Sequence, residues 1–133
     1  MLLRGLTTLL IILLIVLITI ANTGNGQFLL TILNTIPHGD KWLHLFLMGT
    51  LTAALNLSFN FRKTDIGKKS ILTGTLIMAC LITLEEFSQA FIPYRNFEIL
   101  DLVCNYAGVF GIGQIPYFFR AYLPKFVLKS ISE

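Results

Sequence analysis

The sequence predicts an all-α fold, an integral membrane four-helix bundle with both termini on the cytoplasmic side. Three observations carry this expectation. Charged residues are scarce, the apolar runs approach the thickness of a bilayer, and the basic residues collect on one side of the bundle those runs would make.

The 133 residues are 55% hydrophobic and 13% charged, with a mean hydropathy of +0.76. A typical globular domain carries roughly a quarter charged residues, so much of this surface is expected to face lipid. The length suits one domain over residues 1–133. A formal net charge of +3 does not point to nucleic acid, because most basic residues sit in two short segments beside apolar runs, as membrane topology requires. Cys80 and Cys104 lie inside apolar stretches with no zinc or redox spacing, which implies buried thiols and no disulfide.

Four spans are expected, at about 4–21, 43–61, 71–91 and 99–118. The first follows Arg4 and resembles a signal peptide. It lacks a small-x-small cleavage site over residues 18–27, so a retained anchor is expected. Residues 22–27, NTGNGQ, form a turn, and residues 28–40 a loop at the interface. The second run, Leu43 to Phe61, stops at RKTDIGKK, read as a basic loop. The third starts at Ile71, is apolar or hydroxylic to Leu84, then carries Glu85 and Glu86 and continues to Pro93. The fourth starts near Ile99, includes Asp101 and Asn105, and is kinked or ended by Pro116. Strands are not expected, because these runs are longer than barrel strands and apolar on every side.

Arg62, Lys63, Lys68 and Lys69 lie in the loop between the second and third runs, and Arg120, Lys125 and Lys129 in the tail. Four spans put both segments on one side, which basic residues assign to the cytoplasm. From that side, His44 lies about 18 residues beyond Arg62, roughly 27 Å along a helix. Glu85 lies about 16 residues beyond Lys69, and Asp101 about 19 before Arg120, roughly 24 and 28 Å. The ionisable residues therefore reach one outer level, with Arg95 in the short loop above them.

Polar residues also share helix stripes: Asp40 with His44, Glu85 and Glu86 with Gln89, and Asp101 with Asn105, all three or four apart. Charges at membrane depth cost several kcal/mol unless paired or wetted. These stripes are expected to turn inward and meet. Asp40, Lys41 and Glu98 also suit plain interface markers at helix ends. Gly108, Gly111 and Gly113 permit close helix approach, within one bundle or between copies in a homo-oligomer.

In order, Asp40-Lys41-x-x-His44, Glu86-x-x-Gln89, Pro93-x-Arg95 and Asp101-x-x-x-Asn105 followed by Gly108 resemble the VanZ-like family of small membrane proteins. The resemblance covers about 75 residues, from the second run through the fourth. It departs from the family at Tyr94-Arg95, where a glycine-arginine pair is common, and near Asn96 and Phe97, where a serine or threonine is. The family's namesake is an accessory factor for low-level resistance to the glycopeptide teicoplanin, and most members have no established activity.

The topology and the polar stripes predict a multi-pass protein of a bacterial cytoplasmic membrane with an outward-facing polar pocket, and the resemblance supports a functional role for that pocket. The pocket would bind or process an envelope lipid head group or lipid-linked precursor. The expected binding residues are Lys41, His44, Glu85, Glu86, Gln89, Arg95, Asp101 and Asn105, with Arg95 and Lys41 holding an anion. If chemistry occurs there, His44, Glu86 and Asp101 are the catalytic candidates, acting on a lipid phosphate or lipid-linked sugar. No catalytic signature, metal spacing, cofactor motif or nucleic-acid motif is present, so binding is favoured over catalysis. Two other readings stay open. One is a proton-coupled transporter or its subunit, since intramembrane carboxylates mark ion paths. The other is a membrane assembly protein locked by ion pairs.

Overall fold

In the computed structural model, residues 2–23, 31–33, 35–93 and 97–122 are described. Most of the expected turn at 22–27, the arginine Arg95 and the basic tail from Lys125 to Lys129 lie outside them. The Leu/Ile-rich first run forms α1, Leu2–Asn22. Helix α2, Gly39–Ser58, starts after His38, whose left-handed φ of 55° turns the chain into the helix, and it carries Asp40 in its first turn. Helix α3 covers Thr73–Gln89. Helix α4, Ile99–Phe110, starts after Glu98 with Asp101 in its first turn. A 3₁₀ turn, Ile112–Gln114, leads into the short α5, Ile115–Phe118. Pro116 sits in the first turn of α5, where its missing N–H breaks no helical bond, rather than kinking a continuous helix.

The RKTDIGKK segment corrects the expectation of a plain basic loop. It opens an antiparallel hairpin of β1, Lys63–Ile66, and β2, Lys69–Leu72, paired Lys63↔Leu72 through Ile66↔Lys69. Gly67, with φ 61°, takes the first place of its two-residue turn, the position that glycine fills in tight hairpins. Ser70 donates to Asp65 across the pair, and the Thr64 and Thr73 hydroxyls meet at 2.9 Å.

The core is Met48, Leu51, Leu55, Met78, Ile82 and Val109, with Leu10, Ile11, Leu14, Leu47 and Tyr106 packed against it. Helices α2 and α4 make the most extensive contact, and both start at the same end of the molecule. Glycine makes that contact possible. A Cβ on Gly108 would stand 2.2 Å from the Leu45 carbonyl oxygen, and one on Gly49 would meet Ile112 at 2.6 Å. The two backbones therefore touch, which brings the first turns of α2 and α4 together.

The four-span bundle is not what the chain builds. Among the described residues one helical segment, Ile99–Phe118, has the length and apolarity to cross a membrane, and only 22% of its most apolar window is buried. Helix α2 is diluted by Asp40, Lys41, His44 and Asn56, and α3 has 17 residues with two glutamates at its end. The fold is predominantly α-helical with an antiparallel hairpin. The expectations that rested on four spans fall with it: a multi-pass inner-membrane location, membrane lipids or a lipid-linked precursor as partners, and a membrane transporter or assembly protein. Large apolar side chains remain exposed, among them Leu9, Ile12, Ile15, Leu84 and Phe91.

Candidate functional site

The site lies where α2 and α4 begin and α3 ends. Lys41 is its centre. Its ammonium Nζ is 2.6 Å from Asp40 Oδ2, 2.7 Å from Glu98 Oε2 and 2.6 Å from Asp101 Oδ1. The Lys41 and Asp101 side chains are 14% and 13% exposed, whereas Glu98 is half exposed. Acidic residues in first turns are favoured by the positive end of the helix dipole. Asp40 and Asp101 occupy such places on two helices, and Glu98 precedes the second. Lys41 neutralises part of the charge that this arrangement concentrates.

The charges alter one another. Hydrogen bonding to Lys41 holds the Asp40 carboxyl below its usual range, against a smaller opposing effect of burial. Burial alone pushes the Lys41 ammonium down, but its bonds to Asp101, Asp40 and Glu98 together outweigh that and hold it well above the usual lysine range.

Beside this cage, His44 Nδ1 lies 3.0 Å from Asn105 Oδ1, and His44 Nε2 lies 3.7 Å from Asp101 Oδ2. With the Asn105 carbonyl oxygen as acceptor, Nδ1 is the donor of this pair, and Nε2 is the ring nitrogen turned toward Asp101. Asn105 is fully buried, and its Nδ2 has no hydrogen-bond partner. Asp101 Oδ1 likewise accepts no aligned hydrogen bond, so its contact with Lys41 is an ion pair by proximity.

The end of α3 supplies the third part. Gln89 Nε2 donates to Glu85 Oε2 at 2.9 Å and to Glu86 Oε2 at 3.2 Å. Glu86 is 0% exposed, and its Oε1 accepts the Glu98 backbone N–H at 3.4 Å. That bond ties α3 to the start of α4. Burial pushes the Glu86 carboxyl up. The Glu98 N–H opposes this, the charges of Glu85 and Asp101 add to it, and His44 opposes it.

Of the residues singled out in the sequence, Lys41, His44, Asp101 and Asn105 stand in direct contact, and Glu85, Glu86 and Gln89 form the adjoining group. Arg95 lies outside the described residues. Glu98 and Asp40, read in sequence as suited to interface markers, belong to the cage. The three-residue step from Glu98 to Asp101 was the available signal. A second buried polar network was not legible at all. Asn56 Nδ2 donates to Thr75 Oγ1 and the Gly113 carbonyl, both at 3.0 Å, and Gln114 Nε2 donates to Thr75 Oγ1 at 2.8 Å.

Chemically, the cage offers three carboxylates that could hold a cation. Ligand oxygens of Asp40, Glu98 and Asp101 all lie within 4.8 Å of one another. Hard divalent ions take carboxylate oxygens at about 2.0–2.6 Å, so one ion placed among the three could touch each of them.

No family model, curated protein or solved structure matches the chain significantly. The expected membership of the VanZ-like family is thus corrected. Its short polar motifs recur here, but on a helical fold with a hairpin and one segment of spanning length. Acids at helix starts, spaced by a helical turn, arise from helix electrostatics on many folds. The link to glycopeptide resistance goes with the family, and the expected lipid head-group site goes with the four-span architecture.

Proposed function

We propose that the protein is a divalent-cation-binding helical module in which Asp40, Glu98 and Asp101 exchange the Lys41 ammonium for a hard metal ion. The carrying observation is the convergence of three carboxylates from two helix starts on a single positive charge. Lys41 serves as the internal counter-ion that keeps the acids together when no metal is bound. His44, held by Asn105, stands beside the three acids with its Nε2 3.7 Å from Asp101 Oδ2. Glu86 and Gln89 brace the start of α4 from behind. All-oxygen donors favour Mg²⁺, Mn²⁺ or Ca²⁺ over softer ions.

Trp42, the chain's one tryptophan, adjoins Lys41 and provides the test. Terbium titrated into the protein should give saturable emission sensitised by Trp42, and Mg²⁺ or Ca²⁺ should compete it away. Asp101→Asn should abolish it.

A second reading has its own observation. Lys41 Nζ already fills the cage, so the cluster can act as a permanent clasp between α2 and α4. Absence of saturable terbium or calcium binding selects the clasp and rejects the metal site.

A further inference from the structure

At the far end of α2 and α4 the charge reverses. Arg62, Lys63, Lys68 and Lys69 surround the hairpin, and Arg120 follows α5. Here an open cavity of about 510 Å³ is lined by Asn60, Phe61, Lys63, Tyr117, Arg120 and Ala121. A second of about 240 Å³ shares Lys63 and Tyr117 with it. This end lies roughly 27 Å along α2 from the acidic cage, so the two regions are separate.

We infer that this cavity is a binding site for a phosphate-bearing small molecule, held by Lys63 and Arg120 on either side of Tyr117. Neither cation has a carboxylate partner among the described residues; the one acid of the hairpin, Asp65, receives Ser70 instead. Both cations converge on one ring. Lys63 Nζ lies 4.9 Å and the Arg120 guanidinium 4.1 Å from the Tyr117 centroid. Arg120 is steadied by donating Nη1–H to the Tyr117 carbonyl at 2.9 Å, and its planar guanidinium carries further N–H donors suited to a two-pronged grip on an anion. Lys63 draws the Tyr117 hydroxyl below the usual phenol range, with a smaller contribution from Arg120, as expected where positive potential lacks a counter-ion.

The rim is built with strained backbone. Asn60 and Phe61 are consecutive left-handed residues, φ 51° and 54°, a conformation that an aromatic residue rarely adopts. Phe61 N–H is tied to the Asn56 carbonyl at 2.8 Å, and its ring meets Tyr117 edge-on at 5.9 Å. Strain of this kind persists where surrounding contacts over-determine it, and it gathers at ligand sites. The larger cavity is within the size range of sites for nucleotide-sized ligands.

Calorimetry with inorganic pyrophosphate and with ATP, on the full chain at physiological ionic strength, tests the inference. Saturable binding is expected. Lys63→Gln and Arg120→Gln should each weaken it by about tenfold, the weight of one charge-assisted hydrogen bond. Lys68→Gln, on the hairpin but outside the cavity lining, should leave it within about twofold. Both cavity cations are exposed, so these variants should fold, and circular dichroism checks that they do. No saturable heat with either phosphate compound overturns the inference. So does an equal loss in Lys68→Gln, which signals diffuse charge attraction. Binding confined to anionic phospholipid vesicles, with none to free pyrophosphate or ATP, overturns it as well.

Discussion

Lys41 on α2 and Asp101 on α4 are joined by a 2.6 Å ion pair between side chains that are each more than four-fifths buried. The same ammonium holds Asp40 and Glu98. One lysine thus determines whether three acids can share a site, and the first prediction follows from that.

Lys41→Met should destabilise the fold by about 2–3 kcal/mol, less than a fully buried pair because Glu98 and Asp40 are partly solvated. Under the cation-exchange reading, millimolar Ca²⁺ or Mg²⁺ should restore much of that loss and restore nothing to a Lys41→Met/Asp101→Asn double variant. Thermal melts with and without the ion distinguish this from a clasp, where added metal changes neither.

Stability should vary with pH in two opposite ways. Asp40 is held below its ordinary value of 3.8, so its contribution is present above that pH and lost as pH falls through its depressed value. Glu86 is raised above 4.5, so the stability of its protonated form is complete below that pH and is lost as pH rises through the raised value. Glu86→Gln keeps a neutral acceptor for the Glu98 N–H and cannot ionise. Urea denaturation across pH 4 to 8 should show a shallower fall on the alkaline side in that variant, and an unchanged slope would remove the role given to Glu86.

Gly108→Ala should cost at least about 1–3 kcal/mol, because its new methyl would collide with the Leu45 carbonyl. The separation of α2 from α4 should also pull His44 from Asn105. A two-dimensional NMR spectrum should show the His44 ring resonances shifting in Gly108→Ala and staying in place in the control Gly5→Ala, where a Cβ meets nothing.

Asn56→Leu should destabilise by about 2–4 kcal/mol. It strips the Thr75 backbone N–H and the Gly113 carbonyl of their Asn56 partners. Because Asn56 is remote from Lys41 along α2, terbium binding in the folded fraction should be unaffected. Loss of binding in proportion to unfolding is the expected result in a denaturation series.

The pattern of agreement has a physical source. Helices at the apolar runs were legible because backbone bonding within a helix is local, and the three- and four-residue steps of His44, Gln89 and Asn105 follow from helix geometry alone. The hairpin was missed because its signal, a single Gly67-Lys68 turn, lies inside a charged segment that topology rules read as a loop. The count of spans failed because mean hydropathy adds up apolar residues without asking how polar positions interrupt each helix. Asp40, Lys41, His44 and Asn56 dilute α2, and α3 ends in paired glutamates.

By itself the sequence determined that helices form, where their starts place acids, and which polar residues share a stripe, since all of these depend on neighbours a turn apart. Only the tertiary structure decided that Lys41 would gather Asp40, Glu98 and Asp101, and that Lys63 and Arg120 would flank one tyrosine at the other end. The reason is the backbone contact at Gly49 and Gly108. It sets two helices of distant sequence side by side in one direction, and no local pattern encodes which glycine meets which carbonyl.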